Sequence, residues 1–137
     1  MKKITLILLS SLYLIFTACE DNEESLAEFG SISGTVNFTG TFPDSGEVLI
    51  TLDKIYPPEG PPASFGYINS DNLTNNTYNY NFSDLSFRSY DAITVTYWTL
   101  GYSTAGSDNV LVGSHIQPIE LTQDNPDVVI DIDAVFN

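Results

Sequence analysis

Few side chains in this sequence could do chemistry. Cys19 is its only cysteine and His115 its only histidine. His115 has Ser114 beside it, but a catalytic triad is defined by geometry and roles, not by adjacency in sequence. A surface or strand-end histidine is the plainer reading. One histidine and one cysteine also cannot supply a zinc ligand set. Asp124, Asp127, Asp131 and Asp133 gather near the C-terminus, and Asp71 stands among Asn69, Asn72, Asn75 and Asn76. Oxygen-rich clusters of this kind suit calcium. The second cluster lacks the glycine and distal glutamate of a hand-type calcium loop. Asp131 and Asp133 are therefore the calcium candidates, with a solvated strand face as the competing reading. No other cofactor is implied. Trp98 is the single tryptophan. With Tyr102 on the following loop it offers two aromatic planes on which a sugar ring could stack. No nucleophile–base pair rises above composition, so no enzyme activity is expected.

These residues sit behind a distinctive N-terminal stretch. Lys2 and Lys3 are followed by a nearly unbroken apolar run, Ile4 to Ala18. A membrane span needs about 20 apolar residues, and this run is shorter. A charged start, a short apolar centre and a small residue at the end have the form of a secretory signal. Phe16-Thr17-Ala18-Cys19 resembles the lipobox of bacterial lipoproteins. The resemblance implies a signal peptide over 1–18, cleaved before a Cys19 that carries lipid. Stable anchoring takes two lipid signals, and a diacylglycerol thioether with an acylated amine supplies them without any polypeptide entering the bilayer. It also leaves the mature domain with no disulfide.

Residues 19–29 form an acidic tether, Glu20, Asp21, Glu23, Glu24 and Glu28, with too few large apolar groups to order itself. An acidic run at this position resembles the surface-export signal of Bacteroidetes-type lipoproteins. The whole chain carries a net charge of −14, and without Lys2 and Lys3 it carries −16. Only Lys54 and Arg88 then remain basic. Nucleic-acid binding needs a basic footprint, which this composition excludes.

From Gly30 to Asn137 the period is two. Ile32, Gly34, Val36 and Phe38 alternate with polar residues, as do Val48, Ile50 and Leu52 with their neighbours. Ala63 to Ile68 is a short strand. Tyr78, Tyr80 and Phe82 form an apolar stripe. Ile93, Val95 and Tyr97 point to the core, which turns Trp98 outward with Thr94 and Thr96. Leu111 and Val112 open a stretch running to Leu121. Val128, Ile130, Ile132, Ala134 and Phe136 share one face of a last strand. Pro57, Pro58, Pro61 and Pro62 cannot sit inside a paired strand and mark a stiff loop. Seven strands split by turn residues predict one all-β domain over 30–137, an antiparallel β-sandwich.

Ile32-x-Gly34-x-Val36, then Tyr80-x-Phe82-x-x-Leu85 with Tyr90, and Ile130-Asp131-Ile132 resemble the strands of carboxypeptidase regulatory-like domains. These share the transthyretin-like, broadly immunoglobulin-like sandwich and are usually accessory or binding modules. The expectation is a lipid-anchored protein of the cell envelope, at the outer membrane, on either its periplasmic or its extracellular face. It would act as a non-catalytic binding or scaffolding module for an outer-membrane protein. The alternative is a carbohydrate-binding accessory lipoprotein using Trp98 and its loops.

Overall fold

The computed structural model describes residues 26–103 and 108–137. Cys19 and most of the acidic tether lie outside them. The described residues form ten strands, a single 3-10 turn at Ser70–Asn72 and no α-helix. The strands are β1 (Gly30–Thr39), β2 (Glu47–Asp53), β3 (Ser64–Ile68), β4 (Thr77–Leu85), β5 (Arg88–Tyr90), β6 (Ala92–Trp98), β7 (Asn109–His115), β8 (Ile119–Leu121), β9 (Asp127–Val129) and β10 (Ile132–Val135). One curled sheet runs β3-β2-β6-β7-β10-β1-β4, with β9 beside β1, and β5 pairs β8 separately. The curl brings β3 and β4, the two ends of that order, into contact.

Two expectations are corrected. The sheet is mixed, not antiparallel, because β1 pairs β9 and β10 in parallel. Alternation fixes which face a residue takes and says nothing about the direction of its neighbour. The strand count also exceeds seven, for three local reasons. β5 is too short to show a period, Pro118 separates β7 from β8, and the last strand is broken at Ile130 and Asp131.

The core follows the predicted stripes. Ile32, Val36 and Phe38 of β1, Val48, Ile50 and Leu52 of β2, and Ile93 and Val95 of β6 all point inward and are buried. Burying a side chain of this size contributes about 1.5–3 kcal/mol. Tyr80, Phe82 and Leu85 face them from β4, and Tyr90, Ile119 and Leu121 of the small sheet close one end. Tyr90 is buried and its hydroxyl donates to the Ser86 carbonyl at 2.9 Å. This pins the corner between β4 and β5. The other end is closed by rings: Phe38 stacks on Phe136 at 5.5 Å, and Phe42 and Tyr97 meet Phe136 edge-on.

The break in the last strand is a built feature. The Ile130 N–H still donates to the Ser33 carbonyl. The next ladder position fails because the backbones of Gly34 and Ile130 crowd together. A Cβ on Gly34 would overlap the Ile130 carbonyl oxygen. Two side chains replace the lost bonds. The Tyr80 hydroxyl donates to that carbonyl at 2.6 Å. Asp131 Oδ1 accepts from both the backbone N–H and the hydroxyl of Thr35, each at 2.8 Å. These two bonds hold the Asp131 carboxyl below the ordinary carboxylate range. Burial, then the nearby Asp131 charge, push the Tyr80 phenol up.

Candidate functional site

The outward face of β2 and β6 differs in character from the inward one. Thr51 lies opposite Thr94 in register, Leu49 opposite Thr96, and Glu47 opposite Trp98. Side chains alternate across a sheet, so Thr51, Thr94, Thr96 and Trp98 share this face. The loop that follows β2 contains the four prolines and overhangs it. Between loop and sheet lies a groove of about 320 Å³. Thr51, Asp53, Thr94 and Thr96 form its floor, and Trp98 and Tyr102 stand at one end.

Asp53 is the unusual member. It closes β2 and is 3% exposed. Its Oδ2 lies 3.2 Å from the Thr51 hydroxyl and 3.5 Å from that of Thr94, and the two hydroxyls are 2.7 Å apart. Each hydroxyl has one proton, so one threonine donates to the other and the second donates to Oδ2. Burial pushes the Asp53 carboxyl up, and the two hydroxyls pull it partly back. A buried polar atom without a partner is costly. No buried side-chain oxygen or nitrogen among the described residues is left orphaned. The Asp53 Oδ1, which receives no hydrogen bond from the described residues, is therefore not sealed off, and Asp53 lines both this groove and an adjoining hollow edged by Lys54, Ile55 and Glu59.

Trp98 and Tyr102 meet at 5.0 Å between centroids with their planes at 89°. The chain arranges this in a tight turn. The Gly101 N–H donates to the Trp98 carbonyl, and Gly101 takes φ of 85°, a left-handed conformation that favours glycine. Glu47 Oε2 then accepts the Tyr102 backbone N–H at 2.6 Å. Trp98 does not stand free as a lone surface platform. It is half-buried, and its indole N–H donates to Thr96 Oγ1 at 2.9 Å, which lays the ring back over the floor.

The groove has a direction relative to the start of β1. Gly30 pairs with Leu85 and packs beside Leu121, which pairs with Arg88. The same end carries Asp91, whose N–H donates to the Asp53 carbonyl. Asp53 thus lies toward the pole where β1 begins. Trp98 lies at the other pole, beside Gly46 and the Phe136 ring cluster.

The other predicted residues fall elsewhere. Asp131 and Asp133 are taken up by β1, Asp131 by Thr35 and Asp133 by the Asn37 amide at 3.5 Å. Asp127 accepts from Ser31 in the same way at 2.7 Å. Their aspartate spacing reflects a parallel seam. Among the described residues no group of three or more histidine, cysteine or acidic side chains is placed to hold a metal ion. Ser114 and His115 are consecutive in β7 and point to opposite faces. Cys19 lies outside the described residues. Sequence reasoning missed Asp53, which reads there as an acid ending a strand. Its signal is the outward series Leu49, Thr51, Asp53 running straight into a proline-rich loop. No protein-family model, curated protein or solved structure matches this chain.

Proposed function

We propose that this chain is a lipid-anchored, non-catalytic binding module of the cell envelope, with the groove under Trp98 as its ligand site. Cys19 carries the lipid, and residues 19–29 tether a domain of the immunoglobulin-like or transthyretin-like kind to the outer membrane. The Tyr90 corner and the pairing of the first strand with the last support that finer class. Its closest likeness in residue pattern is the carboxypeptidase regulatory-like domain. Membrane attachment is through lipid alone, and the domain faces outward.

The observation that carries this reading is the Trp98–Tyr102 corner over a hydroxyl-lined floor, at the pole away from the tether. A ligand held there meets no membrane. Ligand sites combine aromatic walls with a few placed polar groups, and this groove has both. A second reading, a carbohydrate-binding accessory lipoprotein, is favoured by one feature. Thr51, Thr94 and Thr96 line the floor with hydroxyls and no basic side chain lines the groove. A protein partner docked at the outer membrane would more naturally use a broad apolar patch.

Labelled palmitate fed to cells tests the anchor. The protein should take up label, and Cys19→Ser should lose it and leave the membrane fraction. Proteinase added to intact cells should degrade the domain. An unlabelled protein whose fractionation ignores Cys19→Ser would sink the reading.

A further inference from the structure

The two ends of the groove do different work. At the end where β1 begins, the Asp53 Oδ1 is an acceptor with no partner among the described residues, set beside the bonded Thr51 and Thr94 hydroxyls. At the far side the indole and phenol rings make a right-angled apolar corner. Thr94 is the β6 residue that reaches Asp53, and Trp98 lies four positions further along the same strand. A strand advances about 3.4 Å per residue. Because the indole leans back over Thr96, roughly 7–14 Å separates carboxylate and ring, two to four strand residues. Over the longer part of that span a single sugar ring is too short to use both ends at once, and two or more linked rings cover all of it.

The lining also restricts charge. Asp53 is the only Asp, Glu, Lys, Arg or His on it, and the rest is hydroxyl, amide, aromatic ring, proline, glycine and Leu111. Nothing there neutralises an acidic ligand, and a chain of net charge −14 repels one at a distance. Cations are not excluded by sign. A basic side chain, however, would find one buried carboxylate whose Oδ2 already serves the threonine pair. The Asp91 carboxylate beside it accepts the Tyr56 backbone N–H at 3.2 Å, and Glu47 at the far end accepts that of Tyr102. A row of hydroxyls ending on an acceptor suits a partner that is itself a row of hydroxyls.

Resting on the reading that this groove is the ligand site, we infer that it holds a neutral oligosaccharide of two or more rings. One ring stacks at Trp98 and Tyr102, and a hydroxyl of another donates to Asp53 Oδ1. Because Trp98 is the only tryptophan, its emission reports the stacking end directly. The test is a fluorescence titration of the lipidated full-length protein in detergent. The probes are neutral glucan and mannan oligomers of one to six rings, oligogalacturonate as the acidic counterpart, and trilysine. Affinity should rise at least tenfold from one ring to three and then level off, with no response to oligogalacturonate.

Two variants read the ends separately by calorimetry. Trp98→Ala should abolish binding. Asp53→Asn preserves shape and can still accept from the threonines, but presents a donor where the acceptor was. Loss of one hydrogen bond to a charged group should weaken the trimer about tenfold or more while leaving the monomer nearly unchanged. Failure of every neutral oligomer overturns the ligand class and leaves the groove assignment standing. Sugar binding that survives Trp98→Ala overturns the groove assignment and the inference with it. A trilysine response lost in Asp53→Asn, with none to sugars, overturns it in favour of a basic peptide.

Discussion

Asp131 and Asp53 accept hydrogen bonds from threonine hydroxyls, and there the likeness ends. Asp131 is exposed and spends one oxygen on two groups of Thr35, bridging a broken ladder. Its carboxyl is held low. Asp53 is buried, its carboxyl is pushed up, and one oxygen is left over. The first is a repair within the backbone. The second is a buried acid held by a threonine pair that spans β2 and β6, with an acceptor left beside a groove.

The seam around Asp131 should be the easier of the two regions to break. Gly34→Val drives a branched side chain into the Ile130 carbonyl. It should cost about 3 kcal/mol or more, or prevent folding, as overpacking at a site that cannot yield does. Urea unfolding measures it. Tyr80→Phe leaves the Ile130 carbonyl without its hydroxyl donor and should cost about 1–3 kcal/mol. The urea midpoint should fall with no change in slope.

The two acids then differ in the sign of their pH dependence. A carboxyl lowered in the fold adds stability that is complete above its unfolded value, ordinarily 3.8, and is lost as pH falls through the lower folded value. Asp131→Asn should therefore reduce stability at neutral pH and flatten the acid limb below pH 3.8. A raised carboxyl does the reverse. Between 3.8 and its higher folded value, stability declines as pH rises, because the fold binds the proton more tightly than the unfolded chain. Asp53→Asn should leave the neutral-pH melting temperature equal or slightly higher, the smallest effect of the four. A clear loss there would make Asp53 a structural residue like Asp131 and erase the contrast.

Much of this was legible in the residues. The stripes Ile32/Val36/Phe38 and Val48/Ile50/Leu52 mark the core, because period-two alternation over a half-buried strand leaves little choice of face. The outward turn of Trp98 follows from Ile93 and Val95 by the same rule. Tyr102 joins it, as its position just past the strand end suggests. The parallel seam was not legible. Ser31, Thr35 and Asn37 match Asp127, Asp131 and Asp133, each pair 96 residues apart, and no local pattern announces a partner at that distance. Those aspartates look like metal ligands until β1 is laid beside them. The groove was hidden for a related reason. Its roof comes from the proline-rich loop and its floor from two strands more than forty positions apart, so it exists only after folding.

The pairing of β1 with β9 and β10 has a mechanical side. Gly30 opens β1, so a pull on the chain ahead of it would enter the domain there. Tension there runs along β1, and its neighbours on both flanks lie lengthwise to that load. Bonds arranged so are strained in shear and must fail together, whereas a hairpin pulled from its open end peels one bond at a time. Held at Gly30 and loaded at the Trp98 end, the domain would keep its shape under forces that would unzip a differently threaded sheet.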